Sequence, residues 1–348
     1  MKFDTSTIDQ QAFARELGDA YGLSISSMTF TPKGEESFCY VARDANGHEY
    51  FVRAQDRTLN GHPEAVYVAV AALHDRCGLT QALSPLQTAS GSHTWRYDRF
   101  TVALFPFIAG TTAFEAGITD EQLDQSARIM AHLHGSDPRR LPPMPREHFD
   151  NPFAPPIARA LAAAASLSTN ASIHQHRVRS LLLEQQADIS ATLTHMRQLR
   201  DAAHRLRLPF VPTHGDPNLA NFLIDETGRL HLTDWGEIAL GPRERDLTFL
   251  TDEQFTPFLD TYLAASGPVR LHRLLFHFYF YRWTVQEIAD YTSRILFGST
   301  DPEPAEHAWT ELQPYLPTQH DGIESDLKAI TTILRRFADD GRLVFDER

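Results

Sequence analysis

One stretch of this sequence concentrates polar side chains between short apolar runs. It reads THGDPNLANFLID over residues 213–225 and continues as LHLTDWG over residues 230–236. Asp216 and Asn221 lie five residues apart in a predicted loop, and Asp234 follows the next apolar run. A β-hairpin that turns between the two apolar runs would bring these three side chains to one edge.

Two carboxylates and an amide at one edge suit phosphoryl transfer from a nucleotide. One carboxylate orients the attacking hydroxyl, while an amide oxygen and a second carboxylate bind the Mg²⁺ that bridges the phosphates. Taken singly, Asp216, Asp225 and Asp234 fit turn or capping roles better than catalytic ones, and His214 fits a core histidine better. The joint pattern H-G-D-x-x-x-x-N, with D-W-G 13 residues after Asn221, favours the catalytic interpretation.

This two-part pattern resembles the catalytic site of the aminoglycoside phosphotransferase and choline kinase group, distant relatives of the protein kinases. The resemblance implies that Asp216 is the catalytic base and that Asn221 and Asp234 bind Mg²⁺. It also implies that His214 supports the catalytic loop. The predicted phosphate donor is ATP or GTP, and the implied architecture is an α+β, bilobal, protein-kinase-like fold.

A second run, ALGPRERDL at 239–247, resembles the segment that follows the metal-binding Asp in that group. Its P-x-E-R-D-L pattern at 242–247 is most similar to that of spectinomycin phosphotransferases. By this resemblance Asp246 binds the backbone of the catalytic loop. Other enzyme classes fit less well. The G-x-S-x-G turn of serine hydrolases is absent from the sequence, and His132 and His134 lack the spacing of a zinc site.

The first part of the chain carries weaker signals for a nucleotide. Arg53, in the apolar run YFVRA at 50–54, stands where kinases place a Lys that touches the α- and β-phosphates. By the same resemblance Glu64, in the first turn of the following helix, pairs with that cation. Arginine is always charged and binds phosphate in a bidentate manner, so we expect the pair to be retained. An ordinary surface pair is the alternative.

The candidate phosphate loop, TPKGEES at 31–37, holds a single glycine. We expect the Gly34 amide or the Ser37 hydroxyl to contact phosphate, and a plain hairpin turn is an equal alternative. The run LFPFI at 104–108 matches the position of the kinase hinge, where backbone groups of an extended segment read the adenine edge. Mostly from the resemblance, we therefore expect Phe105 and Phe107 in the nucleotide site.

These residues need a scaffold of short strands followed by helices. Apolar spacing predicts a helix over 7–20 capped by Ser6 or Thr7, strands over 27–30, 37–43, 49–54, 95–99 and 101–107, and a helix over 63–76. Further helices are predicted over 121–134, 157–205, 255–265, 269–296, 303–315 and 323–339. This order predicts a nucleotide-binding lobe over 1–107, a hinge near 104–110, and a helical catalytic and acceptor-binding lobe over 108–348.

Carboxylates and aromatic rings on one predicted helix suggest where the acceptor binds. Glu287, Asp290, Tyr291 and Arg294 recur at helical spacing and share a face. Acids pair with ammonium groups and rings cover sugar faces, so this face suits a small, cationic, polyhydroxylated acceptor. An amphipathic helix whose acids face water is the alternative. The predicted acceptor ligands are Glu237, Arg282, Glu287 and Asp290.

Composition narrows the possible partners. The 348 residues include 32 Lys and Arg against 45 Asp and Glu, a formal charge of −13, which disfavours binding to a nucleic-acid backbone. No apolar run approaches the ~18 residues of a membrane span. The opening MKFDTSTIDQQ lacks the apolar stretch of a signal peptide, so we expect a cytoplasmic protein without a membrane or nucleic-acid partner.

Together these features predict Mg²⁺-dependent transfer of the γ-phosphate of a nucleoside triphosphate to a hydroxyl of an aminoglycoside or aminocyclitol antibiotic. Spectinomycin is the first choice of acceptor, and antibiotic resistance would follow. Two alternatives stay open. One is a metabolic or protein Ser/Thr kinase of the same fold, acting on choline, homoserine, a sugar or a stress-related protein. The other is a poorly active nucleotide-binding pseudokinase, favoured by Arg53 and by the sparse glycine loop.

Overall fold

The structure is a computed structural model that describes residues 8–32, 37–57, 63–250, 253–298, 301–318 and 322–347. Gly34 and the predicted caps Ser6 and Thr7 therefore lie outside the described residues. The strands are β1 (Ile25–Thr31), β2 (Ser37–Asp44), β3 (Glu49–Asp56), β4 (Trp95–Tyr97), β5 (Phe100–Pro106), β6 (Gly110–Thr112), β7 (Val211–Thr213), β8 (Phe222–Asp225), β9 (Leu230–Leu232), β10 (Ala239–Gly241), β11 (Arg270–His272) and β12 (Val344–Asp346). The α-helices are α1 (Gln10–Tyr21), α2 (Pro63–Cys77), α3 (Ala113–Ala116), α4 (Asp120–Gly135), α5 (Ala154–Ala165), α6 (Ile173–Glu184), α7 (Gln186–Ala203), α8 (Phe255–Ser266), α9 (Arg273–Phe297), α10 (Pro302–Leu312) and α11 (Ile323–Asp339).

Met1–Arg146, Val211–Leu240 and Asp260–Ser266 form one compact unit. It is built on an antiparallel sheet with the strand order β1-β2-β3-β5-β4. Because side chains alternate across a strand, Val52 and Val102 lie on one buried face, where Phe13 and Leu17 of α1 cover them. This packing fixes the position of β3, the strand that carries Arg53.

The β8–β9 hairpin holds the polar segment within the same unit, with β6 pairing beside β8. Gly110 in β6 is required by a close approach, since a Cβ there would lie 2.0 Å from the Ile224 carbonyl oxygen. Gln125 of α4 accepts the N–H of Leu230 and donates to the carbonyl of Gly228. The hairpin is therefore anchored to a helix on one side and to a strand on the other.

Glu147–Phe210, Gly241–Leu259 and Gly267–Arg348 form a second compact unit, which is mainly helical. Helix α9 lies at its centre, packed by α5, α7 and α10. The core joins Ile157, Met196, Phe278 and Leu312 from these four helices. Among the described helices, α9 included, none combines the length and the apolar character that a membrane span requires.

The predicted order of strands and helices is confirmed, with local differences. Asp9 caps α1 in place of Ser6 or Thr7. The predicted helix 269–296 begins only at Arg273, because the residues just before it pair as β11 with β12. The predicted helical stretch 157–205 is three helices. The sequence SLSTNAS at 166–172, with three serines and one asparagine, favours a turn, and a second break falls at Gln185. The lobe boundary between 107 and 108 stays a prediction.

Candidate active site

The polar segment 213–234 runs from β7 through a loop into the β8–β9 hairpin. Asn218 caps the short 3-10 turn Leu219–Asn221 by accepting the Ala220 N–H at 2.8 Å. Asp234 follows β9 with a left-handed backbone at φ 55°. Residues other than glycine seldom adopt this conformation, and such strained positions concentrate at functional sites. Asp216 and Asp234 therefore lie in the connections that precede β8 and follow β9.

Both oxygens of the Asp216 carboxylate accept a side-chain amide. Asn218 Nδ2 donates to Oδ1 at 2.7 Å, and Asn221 Nδ2 donates to Oδ2 at 3.0 Å and to the Asp216 carbonyl at 2.8 Å. The contact between Asp216 and Asn221 agrees with their predicted proximity. The contact with Asn218 was not predicted, because the sequence signals only the cap of a turn. Two donors from one turn hold the carboxylate in a single orientation.

Burial raises the pKa of the Asp216 carboxyl above its usual value, because desolvation penalises the charged form. The negative charge of Asp234 acts in the same direction. Hydrogen bonds from Asn218 and Asn221, together with the nearby His214, oppose this rise without cancelling it. A carboxylate with a raised proton affinity is better matched to general-base catalysis near neutral pH.

His214 is fully buried and joins the loop to the end of β9. Its Nε2 lies 2.8 Å from the Thr233 carbonyl oxygen, and its Nδ1 lies 3.2 Å from the Asp216 backbone nitrogen. A carbonyl only accepts and a backbone N–H only donates, so these partners assign the ring proton to Nε2. The ring also packs on Trp235, with 4.6 Å between ring centroids. These contacts favour a supporting role for His214.

Arg53 of β3 forms an ion pair with Asp234. Its Nη1 donates to Asp234 Oδ1 at 3.1 Å, and its Nε donates to Ser37 Oγ at 3.1 Å. Glu64 is exposed, and its Oε1 accepts from Ser92 Oγ at 3.4 Å. For the part of the chain that the structure describes, the predicted Arg53–Glu64 pair is therefore wrong. The bond to Ser37 on the neighbouring strand aims the guanidinium at Asp234 instead.

The Asp234 carboxylate stabilises the charged form of the Arg53 guanidinium. Burial opposes the charged guanidinium, but the Asp234 carboxylate outweighs that effect and holds the pKa of Arg53 above its usual value. The neighbouring Tyr67 hydroxyl is buried, which raises its pKa and keeps it neutral. The permanently charged Arg53 and the Asp234 carboxylate, which follows the β8–β9 hairpin, therefore lie side by side in the first unit.

We expect the Arg53–Asp234 pair to be measurable as a coupling in stability. The Asp234 side chain is 51% exposed and that of Arg53 20%, so solvent screens the pair and the coupling should be about 0.5–1 kcal/mol. Urea unfolding of the nucleotide-free wild type, Arg53→Gln, Asp234→Asn and the double variant measures it. A parallel cycle with Glu64→Gln in place of Asp234→Asn should be additive. Equal coupling in the two cycles would contradict the observed contacts.

The other predicted nucleotide ligands are partly engaged in packing. Ser37 is buried, with its hydroxyl held by the Arg53 bond described above. The ring of Phe105 is buried edge-on against Tyr67, with 5.6 Å between centroids. The N–H of Phe107 donates to the Glu49 carbonyl at 3.3 Å. The nucleotide-binding roles of Ser37, Phe105 and Phe107 stay predictions.

Two of the predicted acceptor ligands lie in different units. Glu237 belongs to the first unit and is exposed in the 3-10 turn that follows Asp234. Arg282 belongs to the second unit, where its Nη1 donates to Glu147 Oε2 at 3.1 Å. Glu147 is buried and also accepts from the Tyr279 hydroxyl at 3.2 Å. Arg282 therefore neutralises a buried carboxylate in the second unit, and the acceptor roles of Arg282 and Glu237 stay predictions.

The other two acceptor ligands lie on one face of α9, as their spacing predicts. Glu287 accepts a hydrogen bond from the Tyr291 hydroxyl, and Asp290 pairs with Arg294 at 2.6 Å. The Arg294 guanidinium also lies over the Tyr291 ring, 5.6 Å from its centroid. The shared face is confirmed by these contacts, whereas its binding to an acceptor stays a prediction.

Asp246 is fully buried in the second unit, within the 3-10 turn Arg243–Asp246 that packs against α9. In the same turn Glu244 is buried, and its Oε1 accepts the His272 N–H at 2.6 Å. Burial raises the pKa of Glu244 to about 7. This turn is therefore part of the core of the second unit, and the predicted bond of Asp246 to the loop backbone stays a prediction.

The donor chemistry of the first unit fits Mg²⁺. Across the described ranges, no group of three or more His, Cys, Asp or Glu side chains is arranged to hold a metal ion. Mg²⁺ does not need such a group, because it binds one or two protein oxygens together with substrate phosphates and water. The Asp234 carboxylate and the Asn221 amide oxygen are hard donors of this kind. They are the residues that would hold the ion.

Comparison with known proteins relates the chain to a family of phosphoryl-transfer enzymes. The model of the phosphotransferase enzyme family matches residues 34–277, a range that includes Arg53, Asp216 and Asp234 and ends before Glu287. Protein StrN from Streptomyces griseus is 28% identical over 302 residues, which cover 84% of this chain and 87% of that protein. The family match therefore spans the candidate catalytic centre and leaves out much of α9.

Two solved structures share the fold at low sequence identity. Spectinomycin phosphotransferase APH(9)-Ia, in complex with ADP and spectinomycin, has a TM-score of 0.73 and 17% identity, covering 91% of this chain and 99% of that chain. Amicoumacin kinase hAmiN, in complex with AMP-PNP, has a TM-score of 0.58 and 13% identity, covering 89% of this chain and 94% of that chain. The predicted α+β, kinase-like fold is confirmed by these likenesses.

Proposed function

The chain belongs to the phosphotransferase enzyme family, and within it we propose an ATP-dependent kinase that phosphorylates a hydroxyl of an aminoglycoside or aminocyclitol antibiotic. The observation that carries this proposal is the Asp216 carboxylate, which two asparagine amides orient in the loop that enters β8. The same unit places Arg53 against Asp234. A base, a cation and a hard carboxylate are the groups that phosphoryl transfer to an alcohol requires.

In the proposed reaction, Asp216 accepts the proton of the acceptor hydroxyl. The acceptor oxygen forms a bond to the γ-phosphorus as the bond from that phosphorus to the β–γ bridging oxygen breaks, and ADP leaves with the electron pair. Arg53 binds the α- and β-phosphates with its planar guanidinium. When bound, Mg²⁺ neutralises phosphate charge, with Asp234 and Asn221 as its protein ligands. We place the adenine at the predicted hinge, near 104–108.

The acceptor class is supported by the chemistry of α9. Its acidic and aromatic face suits ammonium groups and sugar rings. Spectinomycin phosphotransferase, which has this fold, binds ADP and spectinomycin, so an aminocyclitol is the first acceptor to test. Phosphorylation of such an antibiotic would confer resistance on the host. A kinase for choline, homoserine, a sugar or a protein hydroxyl is the second candidate, because the family match ends before the α9 face.

The raised pKa of Asp216 predicts the acid side of the pH profile. Only the ionised carboxylate accepts a proton, so activity should rise with pH as Asp216 loses its proton. Because burial raises this pKa, the rise in kcat/KM should be centred above the value of about 3.9 for a free Asp. A profile of kcat/KM against pH at saturating Mg²⁺ measures it. A rise centred at or below the free value would contradict the burial argument.

A panel of acceptors tests the proposed function. The purified chain is incubated with Mg²⁺ and ATP or GTP, and with spectinomycin, other aminoglycosides, choline, homoserine and a serine-containing peptide in turn. We expect acceptor-dependent release of nucleoside diphosphate, and the mass of one added phosphoryl group, with the antibiotics alone. Turnover with choline or homoserine would support the second candidate. Nucleotide binding without turnover on any acceptor would support the pseudokinase alternative and contradict the proposal.

A further inference from the structure

We infer that Asn218 is the positioning residue of the catalytic base, holding the Asp216 carboxylate in the orientation that receives the acceptor proton. This inference rests on the proposed function, because it gives Asn218 a task in the same reaction. The observation behind it is the bond from Asn218 Nδ2 to Asp216 Oδ1, at 2.7 Å the shortest of the three amide contacts to that residue. Neither the family resemblance nor the spacing of the polar segment assigns this residue a role.

The amide of Asn218 makes two bonds that one side-chain type supplies together. Its Oδ1 accepts the Ala220 N–H at 2.8 Å, which caps the turn leading into β8. Its Nδ2 donates to Asp216. Serine and aspartate also cap turns of this kind, but the serine hydroxyl ends one bond short of the amide nitrogen and aspartate has no hydrogen to donate. Only the bond from Asn218 Nδ2 to Asp216 therefore explains why an asparagine is needed here.

The arrangement leaves the carboxylate able to act. Each carboxylate oxygen has two lone pairs, and the described amide bonds use one on Oδ1 and one on Oδ2. A lone pair therefore remains for the acceptor hydroxyl, in a direction that the amides fix. Asn221 has a second proposed task as a metal ligand, whereas Asn218 does not. Asn218 can therefore orient the base independently of the metal.

Substitutions at Asn218 separate the cap from the donor. Asn218→Ser and Asn218→Asp both retain an oxygen for the Ala220 N–H, and both remove the hydrogen bond to Asp216. We expect Asn218→Ser to lower kcat roughly 10- to 100-fold, the loss that corresponds to a hydrogen bond to a charged group. Asn218→Asp should lose more, because a second negative charge replaces the donor beside Asp216. The KM values for ATP and acceptor should stay within about threefold of wild type in both variants.

Asn151→Ser is the matched control for these variants. Asn151 lies in the second unit, and its Oδ1 also accepts a backbone N–H two residues ahead, that of Phe153 at 3.1 Å. Its Nδ2 contacts the sulfur of Met196 at 3.3 Å instead of a carboxylate. The same substitution there should leave kcat unchanged. Urea unfolding of all variants reports whether the fold is retained.

The possible outcomes distinguish the inference from the function on which it rests. A fall in kcat at unchanged KM, larger for Asn218→Asp than for Asn218→Ser, supports the inference. Wild-type kcat in Asn218→Ser overturns the inference alone. A fall in kcat that comes with a similar fold-loss in nucleotide affinity and a lower urea midpoint of unfolding also overturns it, since this combination indicates a structural role. A wild type that phosphorylates no acceptor overturns the proposed function, and the inference with it.

Discussion

Asp216→Asn is expected to lower kcat for acceptor phosphorylation by roughly 10²- to 10⁴-fold, the range of general-base contributions. The substitution retains the shape of the side chain and removes the charge that accepts the proton. It also turns an acceptor of two amide bonds into a side chain with one acceptor oxygen, so the contacts of Asn218 and Asn221 are partly lost. Nucleotide affinity should be nearly unchanged, because Asp216 is not assigned to the phosphates or to the metal.

Asp225→Asn provides the control for this prediction. Asp225 lies in the same segment, but its carboxylate serves the hairpin turn, where it accepts from Thr227 and from His231. Its replacement should weaken the hairpin without a comparable loss in kcat. Steady-state kinetics on all three proteins, with calorimetric titration of nucleotide, makes the comparison. An Asp216→Asn variant that turns over within a few-fold of wild type would remove Asp216 from the mechanism.

Asp234→Asn should raise the Mg²⁺ concentration for half-maximal activity by more than about 100-fold. Losing a residue that only supports a metal ligand typically costs 10- to 100-fold in metal affinity, and the loss of a charged ligand should exceed that. Asparagine retains one oxygen at this position but not the negative charge that a hard cation prefers. Activity measured against Mg²⁺ concentration, at saturating ATP and acceptor, gives the shift directly.

Glu237→Gln controls for the general loss of a negative charge near Asp234. Glu237 lies three residues further along the same turn and is exposed. It is a predicted acceptor ligand, so its replacement should change the KM of the acceptor and leave the Mg²⁺ dependence as in wild type. An unchanged Mg²⁺ requirement in Asp234→Asn, or an equal shift in both variants, would contradict the assignment of Asp234 to the metal.

Much of the fold could be predicted because the spacing of apolar residues along the chain indicates its helices and strands. Helices such as α2, α4 and α11 repeat apolar residues over several turns, and the strands of the large sheet are long enough to show alternation. Among the three-residue strands, β6, β11 and β12 carry too few residues for a pattern. They exist because a partner strand from a distant part of the chain pairs with them, as β12 does with β11. That pairing shortened the predicted helix 269–296 at its start.

The same distinction holds within the candidate site. Asp216 and Asn221 lie five residues apart in the loop that enters β8, so their contact follows from local geometry and could be predicted. Arg53 and Asp234 are 181 residues apart in the chain, and no local sequence pattern indicates that they pair. Nor did the spacing show that Glu147, 135 residues before Arg282, neutralises that guanidinium. The family resemblance supplied Glu64 as the partner of Arg53, and the bond from Arg53 to Ser37 explains why that choice failed.

Transfer of a labelled phosphoryl group in a single turnover tests directly whether Asp216 activates the acceptor. Enzyme in excess is mixed with ATP labelled in the γ-phosphate, Mg²⁺ and the acceptor identified by the panel, and the reaction is quenched at successive times. The wild type should move the label onto the acceptor in one phase, whereas Asp216→Asn should bind ATP and transfer label at least about 100-fold more slowly. Transfer by Asp216→Asn at the wild-type rate would contradict the account.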